Sequence, residues 1–242
     1  MTGMSEQEPV QQSDEAEQDG RRPDRRRSAA AERRRAREAA IIAATRSLLD
    51  ARGVRDAQIE DVARAVGVNR AIIYRHFTGK EELFALTLVG YLRELQQALT
   101  DADDPEAGPE ERLRRGAKAF LDYGREHPAF VDCGVTILRS GPELLDEISP
   151  SALFRLGRAM TGCLAGAVAI LREGKEQGVF DIEDPDLVAN TTYAMGLGGL
   201  QLARLGVVVR EDAPGVPAVV PVGAEQVTDT LVEALMALAR TR

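Results

Sequence analysis

The sequence predicts an all-α fold, a short three-helix unit followed by a larger helical one, and three observations predict it. Apolar residues recur at intervals of three and four from Ile41 to Leu238, no segment sustains strand alternation, and Gly, Pro and N-capping residues interrupt the pattern where helices would stop and start. With 242 residues, 44% of them hydrophobic, the chain has enough apolar surface for two cores.

Residues 1 to about 28 have almost no aliphatic and no aromatic side chains and end in Arg21, Arg22, Arg25, Arg26 and Arg27. They are expected to form a disordered tail, acidic and then Arg-rich. From Ala29 an Ala/Glu/Arg-rich stretch favours helix, and Ile41, Ile42, Thr45, Leu48 and Leu49 give it one apolar face until Gly53 closes it. Ile59, Val62, Ala63 and Val66 predict a short second helix ended by Gly67; Ile72, Ile73 and Phe77 predict a third, entered through Asn69 as N-cap. Thr78-Gly79-Lys80-Glu81 reads as a capping box, with the Thr78 hydroxyl and the Glu81 carboxylate each satisfying the other's backbone N–H. It opens a fourth helix that runs through Leu83, Leu88 and Leu95 to Leu99 before the polar stretch from Asp101 to Glu110. Further helices are expected over about 110–126, 128–139, 150–178, 185–206 and 224–240, with Pro128, Pro150 and Pro185 in the first turns of three of them. Residues 210–223, with four valines, three prolines and two glycines, are expected to form a long loop or a short extended excursion.

The formal charge of -8 is unevenly spread. Residues 1–20 hold six acids and no base, residues 21–80 hold sixteen Lys and Arg against seven acids, and the remainder is acidic. A basic segment between acidic ones attracts phosphate locally and keeps the rest of the molecule off a polyanion. Cys133 and Cys163 lie in apolar surroundings with no CxxC, and His76 has no clustered thiol or carboxylate near it, so neither a metal site nor a cofactor is expected. An enzyme has no foothold either, since the chain lacks a phosphate-cradling Gly loop, GxSxG, HExxH and paired His/Cys ligands. The acidic, polar N-terminus and the lack of an apolar run near ~18 residues predict a soluble, cytoplasmic protein with no membrane partner.

Two short helices that cross steeply need a small residue at the crossing, a residue tolerant of positive φ in the turn and an aliphatic one to lock the second helix. Ala63, Gly67 and Ile73 supply these inside the one basic region, with Val62, Val66 and Val68 at the flanking core positions. The exposed face of the third helix would be Asn69, Arg70, Ala71, part of Ile72, Tyr74 and Arg75. Arg can fork onto guanine, and Ala or Ile can touch a thymine methyl. Tyr74, His76 and Lys80 suit phosphates; for Tyr74 a core position is the alternative, and Phe77 is assigned to the core.

The run Gly67-Val68-Asn69-Arg70-Ala71-Ile72-Ile73-Tyr74-Arg75-His76-Phe77-Thr78-Gly79-Lys80-Glu81-Glu82-Leu83-Phe84, with Ile59-Glu60-Asp61-Val62-Ala63 before it, resembles the signature of the TetR family of bacterial repressors over about residues 38 to 85. The resemblance implies a helix-turn-helix DNA-binding domain at 29–80 and a larger helical ligand-binding and dimerisation domain at 81–242. It further implies a homodimer whose two heads bind double-stranded DNA at a palindromic operator and part when a small-molecule effector binds. One departure concerns the start of the second helix, where Ala57-Gln58 stand in place of the family's hydroxyl pair; Asp56 or Gln58 would cap instead. Phosphate anchoring then leans on Lys80, His76 and the arginines before the apolar part of the first helix, Arg35 among them. The Arg-rich tail either reaches the minor groove or only solvates the chain.

By the same resemblance the dimer interface lies on the last two long helices, with Leu187, Ala194, Leu197, Gln201, Leu205, Val227, Leu231, Leu235 and Leu238 as contact candidates. Small residues in the helix interior at Ala194, Gly196, Gly198 and Gly199 point to close approach of another helix. The ligand site is placed among the middle helices, with Tyr91, Phe120, Tyr123, Phe130, Cys133, Thr136, Ile137, Phe154, Met160, Thr161, Tyr193 and Met195 as candidate lining, each also readable as plain core. Few charges interrupt these faces, which favours a lipophilic or amphipathic ligand. The alternative is a DNA-binding protein controlled by a partner protein without any small-molecule ligand.

Overall fold

The structure, a computed structural model, describes residues 13–54 and 58–240. Helix α1 (Ser13–Arg52) begins inside the segment read from the sequence as a tail, and residues 1–12 lie outside the described residues. The chain divides into two compact units, residues up to Ile41 and residues from Ile42 onward.

In the second unit Gly53 ends α1 at φ 76°, its N–H donating to the Leu49 carbonyl at 2.8 Å. Helix α2 (Ile59–Val66) is closed by Gly67 in the left-handed region, φ 69°, and Val68 N–H donates back to the Ala63 carbonyl at 2.9 Å. Helix α3 (Arg70–Tyr74) is entered as expected through Asn69, whose side-chain oxygen accepts from Ile72 N–H at 3.0 Å. Helix α4 (Lys80–Ala102) follows, but the acid that serves Thr78 is Glu82 rather than Glu81: Thr78 N–H donates to Glu82 Oε2 at 2.5 Å. Helix α4 starts at Lys80, so Glu82 is the acid within reach of Thr78, while Glu81 sits on the outer side of the first turn. From Glu82 to Val89 every position of α4 is buried, which marks it as a central shaft rather than a surface helix.

Around α4 stand α5 (Pro109–Glu126), α6 (Pro128–Ser140) and α8 (Pro150–Glu176), with a 3₁₀ turn at Gly141–Glu143 and the one-turn α7 (Leu144–Glu147) between the last two. Ser149 caps α8 through Ala152 N–H, and Asp184 caps α9 (Pro185–Leu205) through the N–H groups of Asp186 and Leu187. Helix α10 (Ala224–Arg240) packs on α9 and α5. Residues expected as a loop or extended excursion form an antiparallel hairpin, β1 (Val207–Ala213) with β2 (Val216–Pro221), pairing Val209 with Val219 around Gly215. β-branched residues at these positions prefer the pleated surface, and the pair adds no layer to the all-helical body.

The larger core gathers Leu88, Leu92 and Leu95 of α4 with Tyr123, Phe130 and Leu197; a smaller one joins Leu113, Leu171, Phe180, Leu235 and Met236. Helix α8 has the length and mean hydropathy to cross a bilayer, though Arg155 and Arg158 interrupt its apolar run, and it packs on α4, α5 and α9.

Candidate nucleic-acid interface and ligand cavity

The crossing of α2 and α3 is held by Val62, Ala63 and Ile73, all buried, and closed beneath by Phe77 at 2% exposure. This leaves Asn69, Arg70, Ala71, Tyr74 and Arg75 exposed, with Ile72, His76 and Lys80 half-buried beside them. Tyr74, 44% exposed, belongs to the surface and not to the core. Its hydroxyl accepts from Arg70 Nη2 at 3.0 Å, while Arg70 Nη1 lies 2.7 Å from Glu60 Oε1 on α2. These two contacts hold the guanidinium across the front of the two helices, and the hydrogen bond to Tyr74 and then the charge of Glu60 raise the Arg70 pKa. Glu60 was not singled out from the sequence; the signal is an acid within the basic segment, one turn before the crossing residue.

Asn69 spends its side-chain oxygen on the helix cap, which leaves its amide group as the part able to face a base or phosphate. The Lys80 ammonium sits 5.0 Å from the Phe84 ring centroid. Gln58 precedes α2 in extended conformation and is exposed; its carbonyl accepts from Asp61 and Val62 N–H, and its side chain makes no capping hydrogen bond among the described residues. Asp56 and Ala57 lie outside the described residues. Arg35 is exposed on α1.

Polar ties join this head to the helices behind it. Both Nη groups of Arg46 donate to the Glu94 carboxylate, and its guanidinium lies 4.3 Å from the Tyr91 ring centroid. The Tyr91 hydroxyl donates to Asp50 Oδ1 at 2.5 Å, and the Tyr123 hydroxyl to the Tyr91 carbonyl at 3.0 Å. Glu82, 4% exposed, takes Thr78 on Oε2 and the Ser149 hydroxyl on Oε1, so one carboxylate links the turn after α3 to the N-cap of α8. Burial alone would push its pKa up; the hydrogen bonds from Ser149 and Thr78 outweigh that and hold it below the usual carboxylate range.

A cavity of about 260 Å³ lies between α4, α5, α8 and α9. Of the residues proposed to line a ligand site, it brings together Phe120, Tyr193 and Met195. Tyr91, Tyr123, Phe130 and Cys133 are instead buried in the main core, where the aromatic rings meet edge to face or tilted. Thr136 and Ile137 are half-buried on α6, Met160 packs on the core, Thr161 is exposed, and Phe154 is 66% exposed. What hollows the cavity is a set of small residues that sequence reasoning passed over: Gly116 and Ala117 on α5, and Gly162, Ala165, Gly166 and Ala167 on α8. The dense run of Gly and Ala from 162 to 169 was the available signal. Burial pushes the thiols of Cys133 and Cys163 up to about 12, which keeps both neutral. No group of three or more His, Cys, Asp or Glu is placed to hold a metal among the described residues.

The proposed contact residues of α9 and α10 divide by exposure. Leu187 and Leu205 are 64% and 66% exposed, and Ala194 is exposed between them. Leu197, Val227 and Leu235 are buried within the chain, Leu231 and Leu235 line the cavity, and Leu238 is half-buried. Gln201 donates to Asp132 Oδ1 at 2.9 Å. The glycines have intramolecular duties: a Cβ on Gly196 would stand 2.4 Å from Phe120 Cε1, and one on Gly199 would stand 2.2 Å from Leu231 Cδ1. Close approach of another helix is therefore met at these two positions by α5 and α10 of the same chain.

Residues 41–87 match the family model of bacterial regulatory proteins, tetR family, a stretch that contains α2, α3 and the Thr78–Glu82 turn. The HTH-type transcriptional regulator EthR of Mycolicibacterium smegmatis is 25% identical over 179 residues, covering 74% of this chain and 77% of its own. The TetR family transcriptional regulator PfmR of Thermus thermophilus superposes with a TM-score of 0.54 at 26% identity, over 81% of this chain and 97% of that one. RolR in complex with resorcinol gives 0.64 at 18% identity over 88% and 91%, a likeness of fold alone. With its helix-turn-helix exposed at α3 and an all-helical body behind it, the chain carries in residues 41–87 the DNA-binding segment of the bacterial regulatory proteins of the tetR family, is similar to the transcriptional regulator EthR over most of its length, and is a DNA-binding transcriptional regulator.

Proposed function

We propose that the protein is a homodimeric, intracellular repressor that leaves a palindromic operator when a compact lipophilic ligand enters the cavity between α4, α5, α8 and α9. Its division of labour follows the sequence reading, with residues 29–80 reading DNA and residues 81–242 sensing and dimerising. The observation that carries this is the Glu82 link. Helix α8 supplies one wall of the cavity at Gly162–Leu171, and its N-cap Ser149 shares the Glu82 carboxylate with Thr78, four residues beyond α3. A ligand that displaces α8 thus acts on a hydrogen bond that also positions the recognition helix.

At about 260 Å³ the cavity falls below the ~300–1,000 Å³ usual for drug-sized ligands, which favours a compact molecule, as resorcinol is for RolR. Dimerisation is supported by the outer face of α9, where Leu187, Ala194, Leu202 and Leu205 form an exposed, mainly apolar stripe. A twofold dimer through such a stripe supplies the two recognition helices that half-sites about one DNA turn, ~34–36 Å, apart call for. Sedimentation of the full chain with Leu187→Glu and Leu205→Glu tests it. Dimer in the wild type and monomer in the double variant are expected; a wild-type monomer on operator DNA overturns the reading.

A further inference from the structure

Two charged side chains line the cavity among the described residues, Asp103 at the end of α4 and Arg112 in the first turns of α5. Arg112 is already spoken for. Its Nε and Nη2 donate to the two oxygens of Asp103 at 2.8 Å each, and its Nη1 donates to Glu173 Oε2 on α8 at 2.6 Å. The neighbouring guanidinium, Arg115, is likewise taken by Glu111 at 2.8 Å and Asp104 at 2.9 Å. Arg112, the one cation of the cavity wall among the described residues, therefore already faces two carboxylates, Asp103 and Glu173. The hydrogen bond from Arg112 holds Asp103 below its ordinary range, so its charge is present throughout the neutral pH range. The other titratable groups of the wall are neutral, since burial raises the Cys163 thiol to about 12 and raises the Tyr193 phenol.

We infer that the cavity selects against anionic ligands and takes uncharged ones, with Asp103 as the residue that sets this specificity. A ligand carboxylate entering here leaves water without gaining a free cation, and meets an excess of negative charge. An uncharged amide or hydroxyl of the same shape loses far less and keeps hydrogen-bond partners in Gln96, Thr100 and Thr192 on the wall. The inference rests on the cavity being the effector site and adds the chemical class of the effector.

Octanamide and octanoate match in size and differ in charge at pH 8, so titration calorimetry of the full chain with each probe measures the selectivity. The wild type is expected to bind octanamide at least tenfold more tightly. Asp103→Asn, which releases half of the Arg112 fork, is expected to cut that preference about tenfold, and Glu173→Gln to cut it in the same direction. Glu173 is the more exposed carboxylate, so its variant decides the matter if Asp103→Asn does not fold. Octanoate bound to the wild type as tightly as octanamide, or a preference unchanged in both variants, overturns the inference and leaves the cavity standing as a ligand site. Octanamide bound with operator affinity unchanged supports the selectivity and removes the effector role. Binding of neither probe removes both.

Discussion

The recognition helices and the cavity walls are held by contacts of opposite reach. Helices α2 and α3 take their shape from neighbours a few residues away: Gly67 turns the chain, Asn69 caps Ile72, and Ile73 locks the pair against Val62 and Ala63. The cavity is bounded by partners far apart in the chain, Phe120 against Gly196, Leu231 against Gly199 and Arg112 against Glu173. A head built locally can change its exposed side chains without disturbing the body. The body, by contrast, is the part that transmits change in the proposed mechanism, because each wall is shared by two helices.

The largest effect expected from this contrast is on DNA. On the proposed reading Arg70→Ala removes one forked base contact per half-site, worth about 1–3 kcal/mol each, so the two together should lower operator affinity by at least ~30-fold in a mobility-shift titration. Arg70 is exposed, and the thermal midpoint of the same variant should not move. Gly196→Val attacks the other region: the added side chain runs into the Phe120 ring and should cost about 3 kcal/mol of stability in urea unfolding. A stability loss from Arg70→Ala, or none from Gly196→Val, would break the contrast.

Glu82 joins the two regions, and its substitution should have an intermediate effect. Glu82→Gln loses charged hydrogen bonds to Thr78 and Ser149, for about 1.5 kcal/mol at neutral pH. Because the folded-state pKa is lowered, the wild-type contribution is fully present above the ordinary glutamate value of ~4.3 and is lost as pH falls through the lower folded value. Urea midpoints of wild type and variant should accordingly begin to converge only as pH falls below ~4.3. The smallest effect belongs to Glu60→Gln, which frees Arg70 from its carboxylate partner and removes a charge facing phosphate. Non-specific DNA affinity should rise less than tenfold, read as a change in salt dependence.

The same contrast explains how far sequence reading reached. Ala63, Gly67, Asn69 and Ile73 act through local spacing, so the helix-turn-helix and the caps at Ser149 and Asp184 are visible in the chain itself. The cavity is defined by side chains that are missing, at Gly116, Gly162 and Gly166, and of the aromatic candidates Phe120 and Tyr193 line it while Tyr91, Tyr123 and Phe130 lie in the core. Glu82 in place of Glu81 is a matter of helix register at one turn, set by where Lys80 begins α4. The hairpin β1–β2 was obscured by the prolines and glycines that surround its valines.

Selection from random DNA by the purified full chain tests the central claim most directly. Enrichment of an inverted repeat with two half-sites about one helical turn apart is expected, together with loss of that enrichment in Arg70→Ala. Recovery of no palindrome, or of the same sequences by wild type and variant, would contradict it.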